Sequence, residues 1–410
     1  MTNTVLETQF AERFGRQPSV TLTVPGVLNL LGEPSGFSGL PSLGFATSQS
    51  LVVAAAPRDD RAVHVHSLAL EPAAEFHRGI RDQIVHSAWH RHVAGALAEL
   101  ADVAPALGAD ILIGGDLPYT GGLASSSALS LSLVAALSAV WGAPMASEAL
   151  HALTTRTERH TGIETSGGET AVLLRALASN AVALEGSGLD HALLPLPPGL
   201  AFVVGYSGQP ANVRDAIIER VVGARIAASM VADEVGIDLD NPPTLGQVAT
   251  IDVVDILVDG LPEKVSAQEV AHGAQVDVAR LVQLGAATYD HMAKVPVKRI
   301  ARHLLDDAAR VEPARQALAA GDLIRFGVLL NDSHNSLRED FRSSTPALDR
   351  VAAAMRKAGA FGARITGVGF GGHVFAACPP DAVPAVIAAA EAATGGPAFA
   401  TAAVDGYHTL

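Results

Sequence analysis

The chain predicts an α+β fold in two units, and three observations carry that expectation. It has 410 residues, 49% of them hydrophobic, which is more apolar mass than one ordinary core holds. Strand-like and helix-like segments come in separate runs instead of alternating strictly, which argues against a doubly wound sheet. A Pro-rich turn at residues 195–198 separates two strand-like stretches, 181–184 and 201–206. The expected division is an N-terminal unit over residues 1–195 and a C-terminal unit over 196–410, with the last strand a candidate to return to the first unit.

Residues 19–24 alternate apolar and polar side chains and read as a strand stopped by Pro25-Gly26. Segments 43–56 and 62–66 read as further strands around the charged turn Arg58-Asp-Asp-Arg61. Ile84, Val85, Trp89, Val93 and Leu97 give residues 82–100 helical spacing. Residues 109–114 form a strand that enters a serine-rich turn, and 126–141 a helix ended by Gly142 and Pro144. Segments 212–235, 270–293, 299–318 and 322–337 have helical periods, whereas 238–260 is irregular and reads as an insertion, a lid or a loop. Residues 362–365, 374–377 and 399–404 close the chain as strands.

The formal net charge of −14 argues against non-specific nucleic-acid or anionic-membrane binding, which need a positive field. A small anion such as ATP is still compatible, because backbone N–H groups, a few cations and Mg2+ bind it. The sole cysteine, Cys378, fits a reducing cytosol and packing in or beside a strand. The first thirteen residues lack the pattern of a secretory signal, and the apolar stretch 123–140 contains six serines, which suits a buried helix better than a membrane span. The expectation is a cytoplasmic monomer or homodimer.

The chemistry concentrates at Pro118-Tyr-Thr-Gly-Gly-Leu-Ala-Ser-Ser-Ser127. A strand ends, Gly121 and Gly122 turn the chain, and Ser125, Ser126 and Ser127 open a helix. Glycines let backbone approach an anion, and a helix N-terminus presents free N–H groups. Serine hydroxyls there can donate to phosphate or ligate Mg2+. A serine N-cap before a buried helix is the simpler reading of the same residues. No Walker lysine follows, so this is not an ordinary P-loop. A second cluster, Gly367-Val-Gly-Phe-Gly-Gly372, follows the strand at 362–365 and reads as a second loop or a tight turn.

Pro25-Gly-Val-Leu-Asn-Leu-Leu-Gly-Glu33 with Gly39, Trp89-His-Arg-His-Val-Ala-Gly95, the loop 118–128, Asn331-Asp-Ser-His-Asn-Ser-Leu-Arg338 with Asp340 and Pro346-Ala-Leu-Asp349, and Gly367 to Gly372 together resemble the GHMP kinase superfamily. Within it the chain resembles galactokinases over nearly its whole length, and segment 331–338 is the most specific match. The resemblance implies a two-domain GHMP kinase fold: an N-terminal domain like the second domain of ribosomal protein S5, and an α/β C-terminal domain. It implies ATP against Pro118, Gly121, Gly122, Leu123, Ser125, Ser126 and Ser127. Mg2+ would sit on Ser126 and Glu158, and a sugar or polyol near Glu33, Gly36, Gly168 and Gly369. Glu169 falls on the catalytic aspartate.

The sugar side departs from that pattern. Val27 stands for the family's arginine, Pro34 and Gly36 for its histidine and sugar-binding aspartate, and Glu169 for its aspartate base. No tyrosine occurs between Gln209 and Val231, Thr120 and Ala124 alter the loop, and one residue fewer separates Glu158 from Gly162. Galactose is therefore not the expected acceptor; a modified sugar or a cyclitol is. A ligand-binding regulator without transfer, and a true galactokinase with substitute contacts, remain open alternatives. Glu164 rivals Glu169 as the base. His86 and His90 share a helix face but lack further ligands, and the resemblance places their helix away from the chemistry. Lys294, Lys298, Arg299 and Arg302 read as a solvated basic face, and His334 and Arg338 as a possible bond between the domains.

Overall fold

The computed structural model of the protein describes residues 2–33, 37–80, 85, 87–162, 164–186, 188–211, 214–240, 242–274, 277–284 and 287–407. Strand β1 (Val20–Leu31) does not stop at Pro25-Gly26. It runs on through register shifts at Pro25/Val27 and Asn29/Leu31, the irregularities that let a sheet absorb a proline. Gly26 is required by close approach: a Cβ there would stand 2.8 Å from the Leu123 carbonyl oxygen. The next amide, Val27 N–H, donates to that same oxygen at 3.1 Å. Strand β1 is thus fastened to the serine-rich loop.

The spine of the first sheet is β2 (Ser42–Arg58), antiparallel to β1. The other strands are β3 (Ala62–Ser67), β4 (Ala74–His77), β5 (Gly108–Gly115), β6 (Asn180–Leu184) and β7 (His191–Pro195). Their order is β4-β3-β5-β2-β6-β7, with β1 against β2. Residues 51–56 are apolar at every position because both faces are covered. Leu51, Val53 and Ala55 face the main core. Val52, Ala54 and Ala56 pack against Leu6 and Phe10 of α1 (Asn3–Phe14).

On the main-core face lie α2 (His90–Glu99), α3 (Ser125–Val140), α4 (Ser147–Arg159) and α5 (Gly168–Arg175). Helix α3 is buried nearly all round, as its uniformly apolar sequence requires. Its serines are tolerated because their hydroxyls find partners. Ser132 donates to Leu129 O at 2.8 Å, Ser138 to Ala135 O at 3.1 Å, and Ser130 bonds His92.

The second sheet combines β8 (Ala201–Tyr206), β9 (Gly362–Thr366), β10 (His373–Cys378) and β11 (Ala398–Thr401) in the order β9-β10-β8-β11. Between β8 and β9 run α6 (Arg214–Val235), α7 (Val254–Gly260), α8 (Ala267–Ala274), α9 (Val278–Val282), α10 (Val297–Ala309), α11 (Val311–Ala320), α12 (Leu323–Glu339) and α13 (Pro346–Lys357); α14 (Val383–Thr394) precedes β11. The architecture is α+β, as expected.

Several boundaries differ from expectation. Segment 270–293 is not one helix: Asp277 caps a new one by accepting from Ala279 N, and a short hairpin, Gln283–Leu284 with Ala287–Thr288, follows. Segment 299–318 divides at Arg310 into α10 and α11. Of the described residues in 82–100, His90–Glu99 are helical; residues 82–84 and 86 lie outside the described residues. Strand β11 pairs with β8 in the second sheet, and only beyond it does Ala403 bridge to Thr47 of the first.

The two glycine loops meet backbone to backbone. Gly122 (φ 99°) and Gly367 (φ 76°) both occupy left-handed conformations. A Cβ on Gly122 would lie 2.7 Å from Thr366 O, and one on Gly367 would lie 2.7 Å from Gly122 Cα. Thr366 Oγ1 donates to Gly122 O at 2.6 Å, and His373 Nδ1 donates to Gly121 O at 2.7 Å. Replacing Gly122 by Ala therefore combines steric conflict with a forbidden φ and should cost on the order of 2–4 kcal/mol in urea unfolding. Gly260→Ala, with open space around it, should stay within about 0.5 kcal/mol of wild type.

Candidate active site

Where the loops meet, a cavity of about 790 Å3 opens. Gly121, Gly122, Ser125, Ser126 and Ser127 line one side, and Gly367, Gly369 and Gly371 the other. Helix α3 begins after Ala124, held at φ 51° without a side-chain cap. Its first intrahelical bond runs from Ala128 N to Ala124 O at 3.0 Å. The N–H groups of Ser125, Ser126 and Ser127 precede that bond, at the positive end of a long helix, so this wall suits an anion.

Three carboxylates also line the cavity: Glu33 and Glu158 are buried, and Glu169 is half-buried. Glu158, on the last turn of α4, accepts from Ser127 Oγ at 2.8 Å through Oε1, while its Oε2 is buried without a hydrogen-bond partner. Burial first, and the neighbouring Glu169 second, push Glu158 up to about 8. The Ser127 and Ser126 hydroxyls partly offset this; Ser126 itself is exposed to the cavity. Glu169 lies in the first turn of α5, which Gly167 opens at φ 83°. Burial raises its pKa, and the Asn29 side chain on β1 opposes the rise. Asn29 also bonds Glu33, which accepts from Gly367 N at 3.1 Å. Burial and then Glu169 push Glu33 up, against the pull of Arg364.

The unpaired Glu158 oxygen beside loop serines fits a small hard cation such as Mg2+. Among the described residues no three His, Cys, Asp or Glu side chains converge on a metal position. A cation here would draw its other ligands from phosphate and water, the usual habit of Mg2+.

Leu70, Val85, Trp89, Arg91, His92 and Leu129 also line the cavity. This corrects the expectation that the 82–100 segment lies away from chemistry: the start of α2 forms a wall of the site. His92 is held by Ser130 Oγ at 2.8 Å, and burial lowers its pKa to about 4, so it is neutral at pH 7. His90 Nε2 donates to Pro72 O at 2.9 Å, which occupies it away from any metal; His86 lies outside the described residues.

Of the sequence candidates, the cavity gathers Gly121, Gly122, Ser125, Ser126, Ser127, Glu158, Glu169, Glu33 and Gly369. Pro118, Leu123 and Gly168 stand outside its lining; Leu123 is buried and Gly168 opens α5. Gly36 falls outside the described residues. Val27 is fully buried in the core and faces no ligand. Glu164 lines the cavity but is held by Arg159 at 3.0 Å and Arg225 at 2.8 Å, which removes it as a free base. Lys294, Lys298 and Arg302 pair with Glu269, Glu263 and Asp259. His334 bonds Asp349 and Arg338 bonds Glu339, both away from the cavity. Sequence reading missed Phe37, Ile217 and Val368, which add apolar walls. An isolated sequence gives no signal for them, since apolar site residues look like core residues.

A carboxyl whose folded pKa is raised favours the folded state while protonated. For Glu158 that stabilisation is complete below its ordinary value of 4.5 and is lost as pH rises through about 8. The thermal midpoint of the ligand-free protein should therefore fall between about pH 5 and about pH 9. Glu158→Gln should flatten the fall. Mg2+ with a non-hydrolysable ATP analogue should raise the midpoint most at alkaline pH, where Glu158 is ionised, and scanning calorimetry across pH reads both effects.

The chain's likeness to known proteins agrees with this geometry. The GHMP kinases N terminal domain matches residues 90–175, and the GHMP kinases C terminal domain matches 314–395. The galactokinase galactose-binding signature matches 8–57. A galactokinase of Roseiflexus sp. is 30% identical over 372 residues, covering 90% of this chain and 85% of its own. One of Chloroflexus aurantiacus is 29% identical over 386 residues, covering 93% and 89%. The crystal structure of Lactococcus lactis galactokinase complexed with galactose superposes with a TM-score of 0.77 at 25% identity, covering 99% of each chain. That of L. major mevalonate kinase with R-mevalonate shares the fold at a TM-score of 0.58 and 16% identity, covering 95% and 98%. With its fold, its two glycine loops and these relatives in agreement, the chain belongs to the galactokinase family of GHMP kinases.

Proposed function

We propose that the protein is a cytoplasmic, ATP- and Mg2+-dependent kinase of a sugar or sugar-like polyol whose preferred acceptor is not galactose. The observation that carries this reading is the convergence of the α3 N-terminus, Glu158 and Glu169 on one cavity. Backbone N–H groups of residues 121–127 would cradle the phosphates, and Ser126, Ser127 and Glu158 would hold the cation. Bound Mg2+ would neutralise the negative charge that develops on the transferred phosphoryl group. Glu169 receives the proton of the acceptor hydroxyl, probed first at the anomeric position, as its oxygen bonds the γ-phosphorus and the bond to the β-phosphate oxygen breaks. Glu33 and Asn29 orient the acceptor.

The acceptor preference follows from what surrounds those carboxylates. Val27 is turned into the core, and Phe37, Ile217 and Val368 add apolar surface to the same cavity that holds the carboxylates. Such walls discriminate weakly among hydroxyl patterns and favour an acceptor with apolar or modified positions.

Buried Val27 also favours a second reading, a galactokinase-like regulator that binds ligands without transfer. A coupled assay over sugars, including galactose, and cyclitols separates the readings. A kinase shows acceptor-stimulated turnover that rises with pH as Glu169 ionises. Glu169→Gln then lowers kcat by on the order of 10²–10⁴-fold while leaving ATP affinity unchanged. Normal ATP binding with no stimulating acceptor contradicts the kinase reading, and a strong preference for galactose contradicts the altered specificity.

A further inference from the structure

Segment 331–338 is the most galactokinase-like stretch of the sequence, yet none of its residues lines the cavity. Its side chains bind inward instead. Ser333 Oγ donates to Asp307 Oδ1 of α10. Ser336 Oγ donates to Asp340 at 2.9 Å and meets His303 Nδ1 at 2.9 Å. Asn331 Oδ1 accepts from Ala363 N on β9 at 3.1 Å.

Asp307 is 1% exposed, and its second oxygen leaves the second unit altogether. Oδ2 accepts from Gly32 N at 2.8 Å and Glu33 N at 3.1 Å, at the end of β1. Arg364, on β9 and fully buried, takes the carbonyls of the same stretch: Nη1 donates to Leu30 O at 2.8 Å and Nη2 to Glu33 O at 3.5 Å. The two charges face each other at 3.9 Å. Burial favours neutral Asp307, but Arg364, His303 and Ser333 outweigh it and hold its pKa below the usual carboxylate range. One acid takes the amides and one base the carbonyls, so the backbone that ends in Glu33 is gripped on both edges. Apolar packing could join the two units without desolvating two charges; an ion pair that bonds one short backbone segment adds direction to the contact.

We propose that Asp307 and Arg364 are positioning residues that set the Glu33 carboxylate against the acceptor, and that segment 331–338 holds Asp307 in place for that task. The proposal rests on the phosphotransferase reading. It predicts that Asp307→Asn and Arg364→Lys raise the acceptor KM about tenfold or more while the KM for ATP moves by less than about twofold. Ser333→Ala should act in the same direction but less. The measurement uses the full chain with D-galactose, D-glucosamine and myo-inositol as acceptor probes, together with hydrogen exchange of the peptide containing Gly32 and Glu33. A selective rise in acceptor KM with faster exchange at Gly32–Glu33 supports the proposal. Equal loss for ATP and acceptor, or no change in either, overturns it. If the wild type phosphorylates none of the probes, the phosphotransferase reading fails for them separately. The grip is then judged on exchange in Asp307→Asn and Ser333→Ala: unchanged exchange overturns it, and faster exchange confined to Gly32–Glu33 supports it. Should Asp307→Asn fail to fold, Ser333→Ala carries the same two readouts.

Discussion

The backbone contact between the two glycine loops is the constraint on which the rest of the molecule depends. Gly122 and Gly367 approach so closely that neither position has room for a side chain. Each loop is fixed by its own sheet, one following β5 and the other following β9. Their meeting therefore sets the relation of the two units, and the cavity is the space left beside the contact. Thr366 and His373 bind the carbonyls of Gly122 and Gly121, which spends the acceptors of the serine-rich loop on the protein. The N–H groups at the start of α3 stay available for a ligand.

Around that junction the charges divide into two kinds. Asp307 and Arg364 are buried, bonded to backbone and directed at structure. Glu33 and Glu158 are buried and Glu169 is half-buried beside open space; desolvation lifts all three in pKa, and Glu169 adds to the rise at the other two. Groups held in that state are costly without a function, and perturbed carboxylates in a cleft are a common mark of catalytic sites. Glu164 illustrates the contrast: it also lines the cavity, but two arginines hold it.

How much was legible in the sequence follows from the kind of signal each feature leaves. The fold class and most of β2 were legible because buried strands and helices impose regular apolar patterns, whereas the half of β1 beyond Pro25-Gly26 was not, because a proline and a glycine read as a stop. The serine-rich loop and the helix it opens were legible because glycines and serines cluster locally. Helix α1 went unread because only Leu6 and Phe10 of its twelve residues are buried, a weak stripe in a polar segment. The division of 270–293 depended on a single cap, Asp277. The apolar cavity-lining residues Phe37, Ile217 and Val368 come from three distant segments, and only the tertiary fold brings them together. Asp307 was invisible for a similar reason: its partners Gly32 and Glu33 lie some 275 residues earlier in the chain.

The paired glycine loops and Glu158 converge on one cavity, where a nucleotide and its metal ion would share a site. A crystal structure with AMP-PNP and Mn2+, located by its anomalous signal, tests it most directly. The expected result is β- and γ-phosphates on the backbone amides of residues 121–127, Mn2+ on Glu158 and a loop serine, and residues 367–372 closing the opposite side. A nucleotide bound elsewhere, or Mn2+ bound without Glu158, would contradict it.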